Sequence, residues 1–268
     1  MHAGSLATLT GTVPMPTVQQ LLSGDIEAYR AKILDTSRDA DPLRWAALHL
    51  FLGASLRLRA SKLSEDERAE NCLEVIRAFE AALATWWQRA PSRALRGARV
   101  GVNPLNLHTT LCKSGPDGVQ MVVDASAVPS AEGNELIVRA IRMFRDAADR
   151  ADRNVEPRAW VVSRSNLGCA LTLLGERTAG PGGVPLLEEA IDVLQSAISG
   201  RAAGNLQDER ATIHVNLAET CQALAARGMP GERLRCLEQS VNWLSAALAF
   251  FAPLEYRWLL QLDRASLA

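Results

Sequence analysis

Asn166-Leu167-Gly168-Cys169-Ala170-Leu171, then Gly175, then Glu189-Ala190-Ile191, Leu194 and Ala197-Ile198 form the stretch on which the fold turns. Apolar and small residues three and four apart give two amphipathic helices, and Gly175 ends the first of them. A lone pair of helices cannot bury its apolar stripe and must stack on another. The same pattern is written elsewhere in the chain. Second-helix stripes recur as Val75, Ile76, Phe79 and Ala82; Ala140-Ile141, Phe144 and Ala147; and Ser240-Val241, Leu244 and Ala247. First helices recur as Phe51-Leu52-Gly53, Asn106-Leu107-His108 and Asn216-Leu217-Ala218, and both stripes step by 50 residues between the last two copies. Two stripes in one register predict an all-α array of four hairpins, each nesting on the next.

Working outward, Asp41-Pro42 opens the first hairpin, because aspartate caps a helix well and proline suits its first turn. Ser64-Glu65-Asp66-Glu67 opens its second helix, where acidic side chains meet the positive helix end. Residues 17–40 form an N-terminal capping helix that Ser23-Gly24-Asp25 divides, and residues 1–16 form a disordered leader. The four repeats occupy about 41–90, 91–155, 156–205 and 206–252. The second copy is longer inside its hairpin, and its surplus, residues 115–133, carries Pro116-Asp117-Gly118 and Pro129, the composition of an excursion from the helices. Pro253 starts a last capping helix, 253–268, through Trp258, Leu259 and Leu262.

Composition narrows the function. Among 268 residues, 29 Lys and Arg nearly balance 30 Asp and Glu, so no net field draws nucleic acid or an anionic membrane. The cysteines at 72, 112, 169, 221 and 236 never make the close pairs of zinc or redox motifs, and reduced cytoplasmic thiols are expected. Met1 to Pro16 lacks the charged and apolar segments of a secretory signal, and no run reaches the length of a membrane span. These readings predict a cytoplasmic protein with no membrane partner.

The quoted residues resemble the tetratricopeptide repeat (TPR) family. Gly168 and Ala170 match its small first-helix residues, Gly175 its helix-ending glycine, and Ala190 and Ala197 the small residues of its second helix. The resemblance covers about Asp41 to Ala252, with hairpin linkers some ten residues longer than the standard repeat and His108 where a small residue belongs. In this long-linker form it is similar to repeats found with bacterial CHAT caspase-like protease systems. It implies a right-handed α-solenoid with N- and C-terminal capping helices and a concave, ligand-binding face. The positions that would line that face are Leu50, Ala54 and Arg57; Leu105, Thr109 and Lys113; Ser165, Cys169 and Thr172; and Val215, Glu219 and Gln222. The repeated asparagines Asn106, Asn166 and Asn216 fit either ligand amides or inter-repeat hydrogen bonds.

A second surface is expected on the face bearing Trp86, Trp87, Arg93 and Arg96. Adjacent residues on a helix point about 100 degrees apart, so one of the two tryptophans should face outward. This leaves a homodimer open. Trp45 and Trp160, each eight residues before the small residue of its helix, read as inter-repeat core. The predicted function is a non-catalytic adaptor or scaffold for another protein or peptide, with no cofactor, no metal and no nucleic acid. One alternative is a regulatory subunit that controls an effector enzyme through the 115–133 loop. Another is a small-molecule sensor or enzyme with a pocket near His108, Cys112 and Cys169.

Overall fold

A computed structural model describes residue 16 and residues 26–89, 131–199, 206–252 and 254–260. The described residues form eight α-helices and no strand: α1 (Ile26–Leu34), α2 (Pro42–Arg59), α3 (Glu65–Arg89), α4 (Ala131–Arg150), α5 (Pro157–Arg177), α6 (Gly183–Ile198), α7 (Gln207–Ala225) and α8 (Pro230–Phe251). Asp41 caps α2 by accepting the Arg44 backbone N–H at 3.2 Å, with Pro42 in the first turn. Ser64 and Glu67 form a reciprocal capping box on α3: the Ser64 backbone N–H donates to the Glu67 carboxylate at 2.9 Å and the Glu67 N–H to Ser64 Oγ at 3.5 Å.

Small residues set the depth of each hairpin. A Cβ on Gly53 would overlap the Phe79 ring, and one on Gly168 would overlap Leu194, so α3 and α6 seat against bare backbone. Each pair is 26 residues apart, and the register read from the stripes is reproduced in the packing. Lower in the third hairpin, a Cβ on Gly175 would stand 2.8 Å from Leu187 Cγ.

The third and fourth hairpins, α5/α6 and α7/α8, are spatial neighbours through α6 and α7, and α4 packs on α5. The first hairpin departs from the expected nesting in chain order: α3 lies along α8, so hairpin one closes the far end of the row beside hairpin four. The reason is physical. The four stripes are nearly interchangeable, and a stripe specifies a kind of neighbour, not which copy supplies it. One buried cluster accordingly joins Phe51, Phe79, Leu83 and Trp86 to Leu237, Leu244 and Leu248.

This junction has two-fold character. Arg57 Nη1 donates to Ser245 Oγ at 3.1 Å, and Gln222 Nε2 donates to Glu80 Oε1 at 3.0 Å. Arg57 and Gln222 hold equivalent repeat positions, as do Glu80 and Ser245, each separated by 165 residues, the step from Gly53 to Ala218. The two contacts are therefore mates of an isologous interface folded into one chain. Arg68 and Arg233, also 165 apart, each face a glutamate of the opposite helix, Glu238 at 3.7 Å and Glu70 at 3.6 Å.

At the C-terminus a 3-10 turn, Leu254–Leu260, stands where a capping α-helix was expected. Residues 261–268, Leu262 among them, lie outside the described residues, as do 1–15, 17–25 and the first helix of the second copy. Helix α4 begins at Ala131 and takes the last residues of the predicted 115–133 loop; the remainder of that loop lies outside the described residues.

Candidate partner-binding surface

The predicted concave positions divide by depth. Leu50, Ala54, Cys169 and Val215 are buried and hold helices together, which corrects the expectation that they meet a ligand. Their first helices are covered on more than one side: α2 by α1, α3 and the C-terminal turn, and α7 by α5, α6 and α8. Leu105, Thr109 and Lys113 lie outside the described residues, as do His108 and Cys112. Arg57 is half-buried and structural, donating to Leu260 O as well as to Ser245, both at 3.1 Å. Ser165, Glu219 and Gln222 keep partial exposure along α5 and α7.

Between α5 and α7 runs a short hydroxyl ladder. Thr172 is buried and its hydroxyl lies 2.8 Å from that of Thr220; each hydroxyl also reaches the carbonyl four residues earlier, Gly168 O at 3.0 Å and Asn216 O at 2.7 Å, so one gives its single proton to its carbonyl and the other gives its proton to its fellow hydroxyl. Asn216 donates its amide to Ser165 Oγ at 3.2 Å, so this asparagine serves inter-repeat bonding. Every polar atom in the ladder has a partner, as burial requires.

Beside the ladder, carboxyls converge from three helices. Burial pushes the Glu219 carboxyl well above the usual range, and the charges of Glu80 and Glu176 add to the effect. Glu80 on α3 is raised by burial too, against the opposing influence of the Gln222 hydrogen bond and Arg77. Sequence reasoning placed Glu219 and Gln222 here and missed Glu80. Its partner comes from a hairpin three copies away, a pairing no local pattern carries.

On the second surface, Trp86 is buried in the junction cluster, so it offers no outer face. Arg93, Arg96 and the Trp87 side chain lie outside the described residues. Trp45 and Trp160 are half-buried; Trp160 packs against the apolar cluster that joins hairpins three and four, in keeping with the inter-repeat core reading. Each lies under a guanidinium seven residues earlier, Arg38 at 5.0 Å and Arg153 at 4.8 Å from the ring centroid, so the repeat also carries a cation–π cap.

Burial raises the Cys72 thiol to about 11 and the Cys221 thiol to about 12, and lowers His214 to about 4. No group of three or more His, Cys, Asp or Glu able to hold a metal occurs among the described residues, nor a helix long and apolar enough to cross a membrane. The described residues make an all-α protein, with no strand among them. No family model, curated protein or solved structure matches it.

Proposed function

We propose that the chain is a non-catalytic adaptor or scaffold, a tetratricopeptide-like right-handed solenoid closed at one end by its own first hairpin, that holds a segment of another cytoplasmic protein along α5 and α7. The observation that carries this reading is the shared register of the hairpins, Gly53 under Phe79 and Gly168 under Leu194. Interlocked copies hold the partly exposed Ser165, Glu219 and Gln222 at fixed spacing on a rigid support, so a partner segment orders little of its receptor on binding. The thiols raised by burial and the histidine lowered by it support a binding role over a catalytic one, since nucleophiles and general bases operate with pKa values near the working pH.

The test is partner capture from native cells by the parent chain and by a Ser165→Arg/Gln222→Arg variant, with melting curves for both. The variant also gives up the Asn216–Ser165 and Gln222–Glu80 hydrogen bonds, so its transition should fall. Ser165→Ala/Gln222→Ala, which gives up the same bonds without adding bulk or charge, is its control: both should melt below the parent, and only the arginine variant should lose the co-purifying protein. Equal capture, or turnover of a substrate by the purified chain, would remove the reading.

A further inference from the structure

The two halves of the junction between hairpins one and four differ in charge. Ala54, Arg57 and Ser245 on one side correspond to Glu219, Gln222 and Glu80 on the other, each 165 residues away. The first set holds a cation and no carboxyl: Arg57 donates to Ser245 Oγ at 3.1 Å, and Ala54 is buried. The second holds two carboxyls and no cation. Glu80 of α3 accepts from the neutral Gln222 amide at 3.0 Å, and Glu219 lies one turn before Gln222 on α7. Both carboxyls are half-buried, and neither makes an ion pair among the described residues. The rim of the same junction is built the other way, with Arg68 facing Glu238 and Arg233 facing Glu70.

Glu80 of α3 and Glu176 of α5 both act on Glu219, and Arg77 is the cation that acts on Glu80. Among the described residues, no other charged group of the helices packed on α3 and α7 acts on either carboxyl. Two carboxylates held close in a half-buried contact repel each other, and a proton on one of them relieves the repulsion. Burial works in the same direction, because it disfavours the charged form of each, and both are raised above the ordinary carboxyl range.

We infer that Glu80 and Glu219 make the junction of hairpins one and four a proton-linked contact: the pair holds one proton while α3 lies against α7, and the junction weakens as that proton passes to solvent. The unfolded chain separates the two carboxyls and gives the proton up at a lower pH. The contribution is therefore full below the ordinary glutamate range and is lost as pH rises through the raised one. The proton belongs to the pair, since carboxyls that interact this closely titrate together. Glu219 also stands on the α5–α7 face, but the inference needs no partner there, and its failure leaves the capture test standing.

The test is a pH titration of the glutamate side-chain carboxyl carbons by NMR in the full-length chain and in Glu80→Gln. In the parent, the Glu219 signal should titrate above the ordinary glutamate range. Glu80→Gln should lower the proton affinity of Glu219 about ten-fold, as removal of a neighbouring like charge does, and leave Glu238 at the rim where it was. An unmoved Glu219 in a folded variant overturns the pair. Urea denaturation supplies the link to the junction: Glu80→Gln should raise the folding constant about three-fold at pH 8 and leave it unchanged at pH 4.5. Combined with Glu219→Gln, it should gain less than the product of the two single gains, because either change alone relieves the repulsion. A gain of the same size at both pH values, or single gains that multiply, overturns the proposal. Should Glu80→Gln not fold, the parent's own titration decides: coupled carboxyls lose their protons over a wider pH span than a single site, and two independent single-site curves overturn the inference.

Discussion

Hairpin four has two neighbours and meets them by different means. Toward hairpin three it presents a polar seam between first helices, the Thr172–Thr220 and Asn216–Ser165 contacts, beside a small apolar cluster that joins Val161, Leu194 and Ala197 to Ile213 and Leu217. Toward hairpin one it presents an apolar, two-fold-like junction of second helices, with aromatic rings at its centre and charged residues at its rim. Hydroxyl ladders demand one register, because a shifted register leaves buried polar atoms unpaired. Apolar stripes demand only shape, and that tolerance lets a hairpin far away in sequence close the row. Both contacts mix the two kinds of group, but the buried hydroxyl pair is in the seam and the larger apolar cluster is in the junction.

The largest expected effect sits at the junction. Phe79 is fully buried over Gly53, and Phe79→Ala should cost about 3–5 kcal/mol in urea denaturation. If the junction couples hairpins one and four, the loss appears as one transition at lower urea; two separated transitions would break the comparison by making hairpin one an independent unit. Next in size, Arg57→Ala removes the hydrogen bonds to Ser245 and Leu260 and should cost about 1–3 kcal/mol, with faster hydrogen exchange at 254–260. Arg57 is thus a poor choice for probing ligand binding alone, although its sequence position suggested the groove.

What could be read from the chain follows the same division. Local chemistry was legible: the Asp41 and Ser64–Glu67 caps and the 26-residue register of glycine against Phe79 or Leu194 follow from spacing within one hairpin. The order of hairpins was not, because Val75–Ile76–Phe79 and Ser240–Val241–Leu244 present nearly equal stripes to any neighbour. The candidate site suffered from this directly. Leu50 and Ala54 were expected on an open face, but α2 is enclosed by α1, α3 and the C-terminal turn. Glu80 and Tyr256 gave no signal, since their partners Gln222, Phe51 and Trp86 come from distant parts of the chain.

A smaller effect sharpens the seam. Thr172→Val keeps the shape of the side chain and removes its hydroxyl, leaving Thr220 bonded only to the Asn216 carbonyl; a loss of about 1 kcal/mol is expected. A neutral result would mean that apolar packing governs both neighbours of hairpin four.

The smallest effect carries a sign. Glu219 has a folded-state pKa raised above its unfolded value, so the folded chain binds more protons than the unfolded one between those two values. Its contribution is most favourable below the unfolded pKa and is lost as pH rises through the folded pKa. Glu80 acts in the same direction. His214, lowered to about 4 by burial, acts oppositely: its contribution is full above its unfolded pKa and is lost as pH falls toward 4. The total pH profile mixes the two, and the difference between the parent and Glu219→Gln isolates the acid. Glutamine keeps the size of the side chain and cannot ionise beside Glu80 and Glu176, so the variant should be more stable by about 1 kcal/mol or less at pH 8, the gain being limited by partial exposure. That gain should shrink as the buffer is taken down toward pH 4.5. A variant less stable than the parent at pH 8 would mean that the ionised carboxylate serves the junction, and hairpin four would then meet hairpin one by charge at Glu219 as well as through the ion pairs of the rim.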